Sequence, residues 1–189
     1  MKPWQAAPLA LLALRAFEAA AGGPPPTTPS TSLYQLEVPL TAQDGRAIGL
    51  DVHRRQPVLV TMFYASCQAT CPLIVETLRS VERKLDAGQQ KNLRVLLVTL
   101  DPEHDTPPVL ATTARERGID TSRWTLARTD AANVRLIAAA LGQQYRLLPD
   151  GQFSHSTLIS VLNGQGEIVA QSDRLGQADE KLVAALKGN

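Results

Sequence analysis

The chain is poor in the residues that narrow a function quickly. It holds two cysteines in 189 residues, too few to staple a fold of this size with disulfides. Lysine and arginine number 19 against 18 acidic residues, and aromatic residues make up 4% of the chain. An even charge balance, with no basic tract interleaved with aromatic rings, excludes the usual nucleic-acid surface and a strongly charged membrane-binding face. No internal repeat is visible, and no apolar run approaches the ~20 residues that a membrane-spanning helix needs. The length is that of one ordinary domain with a real core.

The N-terminus reads as a leader. Lys2 precedes a short apolar core, Pro8 to Leu14, and Ala19-Ala20-Ala21-Gly22 supplies an A-x-A cleavage pattern. This predicts a secretory signal peptide over residues 1–21, cut after Ala21, and an extracytoplasmic mature protein. Loss of Lys2, Arg15 and Glu18 leaves the mature chain formally neutral. No cysteine lies near the cut, which excludes a lipid anchor there. Residues 22–32, rich in proline and threonine, read as an extended linker, and the globular domain is expected over residues 33–189.

Within that domain the apolar pattern alternates between strands and helices. Leu36–Leu40 and Ala47–Leu50 flank Asp44-Gly45, a hairpin signal. Val58–Tyr64 and Leu93–Leu100 are apolar throughout, as strands covered on both faces should be. A helix is predicted from Pro72 to Leu85, with Leu73, Leu78, Val81 and Leu85 inside and Arg79, Glu82 and Arg83 outside. Further helices are expected over Val109–Arg117, from an Asp130 cap to Leu141 with Gly142 closing it, and over Gln177–Leu186. Trp124–Leu126 reads as a short strand, and Thr157–Leu162 and Ile168–Gln171 as a second hairpin. The order implies an α/β fold with a mixed sheet and helices on both faces.

The two cysteines fall at the most informative junction. Cys67 and Cys71, in Cys67-Gln68-Ala69-Thr70-Cys71-Pro72, lie between the first buried strand and the helix after it. A helix N-terminus favours thiolate, the form that binds soft metals and attacks disulfides. Residues i and i+4 on a helix face have Cβ atoms ~5–6 Å apart, close enough for both thiols to reach one ion. The same spacing is near the limit for a strained, labile disulfide. Metal binding needs the reduced pair, so oxidation is expected to switch it off.

Three motifs, in this order, resemble the SCO/SenC family of copper-handling proteins. They are the Cys-x-x-x-Cys-Pro of Cys67, Cys71 and Pro72, the Asp101-Pro102-Glu103-His104-Asp105-Thr106-Pro107 run, similar to that family's Asp-Pro-x-x-Asp-Thr-Pro, and His155 before a strand, matching its distal histidine. Gly164-Gln165-Gly166 fits its closing hairpin, and the resemblance runs over roughly residues 35–187. It implies a thioredoxin-like fold with an extra N-terminal β-hairpin, and a copper site made by Cys67, Cys71 and His155. Ser154 stands where the family has an acidic residue, and Asp150 replaces that residue only if the loop before His155 folds back.

Two thiolates with one imidazole suit copper, as Cu(I) or Cu(II), whereas zinc normally takes a fourth ligand. The expected function is a periplasmic metallochaperone, not a turnover enzyme. By resemblance it delivers copper to an apo copper protein such as a cytochrome oxidase subunit. The alternative is a thiol–disulfide oxidoreductase, in which Cys67 attacks a partner, Cys71 resolves the mixed disulfide and His155 is dispensable; a separate thiol reductant would then be a second partner. A peroxidase-like or redox-sensing role is disfavoured, because no arginine is evident beside the attacking cysteine. Asp105 is expected to cap the helix after Thr106-Pro107 and Asp101 to fix the turn before it. His53, His104 and Arg54-Arg55 are expected in solvent, and Tyr145, Leu147 and Leu148 offer a partner surface.

Overall fold

The structure is a computed structural model that describes Met1 and residues 28–188. The predicted leader beyond Met1, and the linker as far as residue 27, lie outside the described residues.

The elements run, in chain order, β1 (Leu40–Ala42), β2 (Ala47–Ile48), β3 (Val58–Phe63), α1 (Thr70–Arg83), α2 (Ala87–Asn92), β4 (Arg94–Thr99), α3 (Pro107–Glu116), β5 (Trp124–Arg128), α4 (Ala131–Leu141), β6 (Tyr145–Leu147), β7 (Phe153–His155), β8 (Ile159–Leu162), β9 (Ile168–Ser172) and α5 (Glu180–Lys187). Seven strands form one sheet in the order β2-β1-β5-β4-β3-β8-β9; β6 and β7 form a separate pair. The central strands β3, β4 and β5 are parallel, and β1, β2, β8 and β9 join antiparallel. This is the expected mixed, thioredoxin-like sheet with its N-terminal hairpin. All six residues of β3 are buried, so both faces of the sheet centre are covered.

Local chemistry explains most boundaries. Asp130 accepts from Asn133 N–H to open α4, and Gly142, at φ 72°, closes it. The hairpin between β8 and β9 needs its glycine: Gly166 sits at φ 84°, and a Cβ there would fall 2.5 Å from Tyr34 ring atoms. Ser32, buried, bridges to Glu167 at the same turn.

Several expectations shift. The first strand begins at Leu40, because residues 33–35 instead form a 3₁₀ turn capped by Ser32. On α1, Leu73 is exposed, while Glu82 is buried and accepts from Trp124 Nε1 at 3.1 Å and Arg123 Nη1 at 2.7 Å. A buried carboxylate with two such donors is satisfied, so that helix face need not be apolar. The short α2 was not expected, although Asp86 and Gln89 form a reciprocal capping box that marks its start.

His53 is not a solvated loop residue. Its Nε2 lies 3.0 Å from the Thr125 hydroxyl on β5, and burial, with Arg94 and Arg46 adding to it, pulls its pKa down to about 4. An unfolded-chain histidine titrates near ~6.5. Between those values the unfolded chain takes up a proton that the folded chain refuses, so stability falls as pH drops through that window. His53→Gln, which keeps a partner for Thr125, is expected to flatten this decline by roughly 1–2 kcal/mol, allowing for the partly exposed ring. Urea midpoints measured across that range check it; an unaltered pH slope contradicts it.

Candidate metal centre

The site lies past the carboxyl ends of the parallel strands, where open α/β sheets leave a crevice. β3 ends at Phe63 and feeds the cysteine loop; Leu100 N–H, just past β4, donates to the Phe63 carbonyl at 2.7 Å. β8 runs antiparallel to β3, with Val60 opposite Ser160, so the chain preceding β8 reaches the same end of the sheet. Thr61 Oγ1 ties it there by donating to the Leu158 carbonyl at 2.8 Å. Topology thus carries His155 to the cysteines across most of the domain's sequence.

The two cysteines are not side by side on one helix face. Cys67 precedes the helix, in a turn where its N–H bonds to the Tyr64 carbonyl at 3.3 Å, and Cys71 lies in the first turn of α1. The residue at the N-cap position is Ala69, which has no side-chain acceptor to offer. The Cys67 sulfur takes that place, accepting from the Cys71 N–H at 3.3 Å. Both thiols are free and buried, Cys67 at 4% exposure and Cys71 at 1%.

Their environments drive them apart. Burial pushes Cys67 up, but hydrogen bonds from the Cys71 thiol and from the Cys71, Thr70 and Ala69 N–H groups outweigh it and leave the thiol below its ordinary value. Burial dominates at Cys71 and holds it well above, against the Tyr64 backbone and the Arg117 charge. Cys67 is therefore the more readily ionised of the two sulfurs and Cys71 the less.

His155 arrives on β7, half-buried. A hairpin, β6 paired with β7, stands where the sequence suggests a loop before His155. The signal was Asp150-Gly151 between two three-residue runs, the same dipeptide as Asp44-Gly45. Gly151 adopts φ 80°, and Asp150 Oδ1 accepts from Gln152 N–H at 3.0 Å. Asp150 therefore closes the turn and does not orient the imidazole. His155 Nδ1 lies 2.9 Å from the Ser156 carbonyl. Tyr64 packs edge-on against both His155 and Phe153 and donates to Gln152 Oε1 at 3.1 Å, holding the hairpin over the cysteines.

The outcome is a cluster of three. One ligand atom from each of Cys67, Cys71 and His155 lies within 4.8 Å of the other two, the only such group of His, Cys, Asp or Glu found among the described residues. Cys67 and His155 line a cavity of about 370 Å³ with Tyr64, Gln68 and Phe153.

The Asp-Pro-x-x-Asp-Thr-Pro run supports the loop. Asp105 does not cap α3: Thr106 is at the N-cap without a side-chain bond, and Pro107 opens the helix. Instead Asp105 Oδ2 accepts from the Thr99 hydroxyl and, at 2.9 Å, from Ala65 N–H, two residues before Cys67. Burial pushes the Asp105 carboxyl up, with those donors opposing. Asp101 keeps its turn, its carbonyl accepting from Asp105 N–H at 2.9 Å and its carboxylate pairing with exposed His104 at 2.8 Å. Arg54 pairs with Asp51 and covers the Tyr34 ring, while Arg55 is exposed. Leu147 is 61% exposed. An arginine does stand at the cysteines: Arg117 Nη2 donates to the Cys67 carbonyl at 3.2 Å. Fifty residues of sequence hid it, and it grips the backbone of the loop.

The sequence model of the SCO1/SenC family matches residues 27–188. No curated protein matches the chain. Solved structures do. ScoI of Bradyrhizobium japonicum with copper bound is 22% identical, covers 80% of this chain and 96% of its own, and superposes with a TM-score of 0.67. ScoI of Arabidopsis thaliana with copper bound is 14% identical, with coverage of 79% and 94% and a TM-score of 0.68. A SCO1/SenC family lipoprotein from Bacillus anthracis is 18% identical, with coverage of 81% and 95% and a TM-score of 0.70. These likenesses are of fold.

The support role of Asp105 is open to a direct check. Asp105→Ala strips the acceptor from one buried and one part-buried donor and is expected to lower stability by roughly 2–4 kcal/mol in urea unfolding. In the reduced parent protein, alkylation followed by peptide mass mapping should mark Cys67 before Cys71. Equal rates at the two sulfurs would contradict the asymmetry.

Proposed function

The chain belongs to the SCO1/SenC family, and on that membership and the cluster at the mouth of α1 we propose that it is a copper chaperone of the extracytoplasmic space. Cys67, Cys71 and His155 hold the cargo ion and release it to an apo copper protein, a cytochrome oxidase subunit being the recipient that the family resemblance favours. The observation that carries the reading is the convergence of two sulfurs and one imidazole nitrogen, from separate segments, within 4.8 Å of one another.

The donor set fits copper. Two thiolates select a soft ion, imidazole accommodates the oxidised one as well, and a three-donor set falls short of a structural zinc site. The residues prepare the site in stages. Cys67 ionises the more readily, helped by the Cys71 thiol and the helix N–H groups, while Cys71 must surrender a proton that burial holds tightly. Binding therefore releases a proton, and affinity is expected to rise with pH.

Release needs an opening, since both sulfurs are buried. The β6–β7 pair has no ladder to the main sheet and is held over the site chiefly by side-chain contacts such as those of Tyr64. Swinging it aside admits a recipient's ligands, and exposed Leu147 offers that recipient a foothold.

The thiol–disulfide alternative draws on a separate observation, the opposite pKa displacement of the two thiols, which fits an attacking Cys67 and a resolving Cys71. Paired variants separate the readings. Under the copper reading, His155→Ala weakens anaerobic copper binding by about tenfold or more and leaves thiol exchange nearly intact, while Cys71→Ser disables both. The parent should bind copper reduced and not oxidised. Undiminished copper affinity in His155→Ala, measured by competition titration, would leave dithiol exchange as the function.

A further inference from the structure

Gln143 is buried at 4% exposure beside the imidazole, and neither the family motifs nor the copper cluster account for it. Its backbone is fixed by the end of α4: Gly142 turns the chain left-handed, and Gln143 N–H donates to the Ala138 carbonyl at 2.8 Å. From there the side-chain amide Nε2 donates to the Ser156 carbonyl at 2.5 Å and comes within 3.5 Å of His155 Nδ1. The same carbonyl lies 2.9 Å from His155 Nδ1. A carbonyl oxygen accepts and never donates, so this shorter contact is a hydrogen bond only in the tautomer with the proton on Nδ1 and the lone pair on Nε2.

The other end of the amide is unexplained by stability. Gln143 Oε1 is buried and has no hydrogen-bond partner. A buried acceptor without a donor destabilises the fold, and an apolar side chain of similar size would fill the space without that penalty. The end of the amide that has a partner is its N–H group, on the Ser156 carbonyl beside His155.

We propose that Gln143 is a positioning residue for His155: its N–H pins the Ser156 carbonyl, the carbonyl holds Nδ1–H, and Nε2 is left as the free nitrogen for the ion shared with Cys67 and Cys71. The inference rests on the copper reading above. In many metal sites a carboxylate takes this place behind the histidine. Here Ser154 is exposed and Asp150 is engaged by the backbone of its own turn, so a neutral amide–carbonyl pair does the holding. The negative charge of the site then comes from the thiols alone.

The test uses Gln143→Leu, with Gln143→Met as an unbranched second variant, on the full mature chain beside His155→Ala. Three readouts are taken: thermal stability, the His155 tautomer in the metal-free protein by ¹⁵N NMR, and Cu(I) affinity by competition. A positioning role predicts a melting temperature equal to or above the parent's, a smaller share of the Nδ1–H tautomer, and affinity lower by about tenfold. A structural role alone predicts a lower melting temperature with the tautomer unchanged, and that result overturns the proposal, as does an unchanged affinity in a protein whose His155→Ala variant binds poorly. If His155→Ala binds copper as the parent does, the copper reading fails instead, and the tautomer shift still decides whether Gln143 orients the ring.

Discussion

The start of α1 has donors without a cap, and the site grows from that lack. Helix openings leave N–H groups that need an acceptor. Ala69 offers none, and the sulfur of Cys67 fills the role from two residues further back. That contact places the sulfur against Cys71 in the first helical turn, where the Cys71 thiol and the Cys71, Thr70 and Ala69 N–H groups together lower the Cys67 thiol. The surrounding fold then fixes the loop from outside. Asp105 holds Ala65 on one side and Arg117 holds the Cys67 carbonyl on the other, while Tyr64 braces the hairpin above. Strand order brings His155 to the same place, because β8 runs against β3 and must begin where β3 ends.

Two consequences follow for handling a metal ion. The thiols are inequivalent before any ion arrives, with Cys67 shifted down and Cys71 up, which links binding to proton release. The sulfurs are also enclosed, whereas the element that encloses them belongs to a sheet of its own. A floor of parallel strands with a cover outside its ladder suits a site that, on the copper reading, holds an ion and then yields it. The cover carries His155, so on the copper reading its movement would take one ligand from the ion and open the path together.

Much of this was legible in the sequence. The continuous apolar runs at Val58 and Leu93 betrayed buried parallel strands, and Asp130 with Gly142 bounded α4 correctly. The cysteine pair and the distal histidine stood out by their motif context. What escaped depended on side-chain partners far apart in the chain. Glu82 looked like a solvent residue until Trp124 and Arg123 turned out to face it. Asp105 looked like a helix cap, since its spacing to Thr106-Pro107 fits one, but its carboxylate points back to the cysteine loop. Arg117 and Gln143 carry no local signal at all; only the folded chain puts them beside Cys67 and His155. The missed hairpin was different in kind, for Asp150-Gly151 advertised it and the shortness of its strands concealed it.

The claim on which the account stands is that one ion is shared by two sulfurs and the imidazole of a distant segment. X-ray absorption spectroscopy of the copper-loaded protein, compared with its His155→Ala variant, addresses it most directly. The account predicts a shell of two sulfurs and one imidazole nitrogen in the parent, with the imidazole scattering absent from the variant. A shell that is the same in both proteins would contradict it.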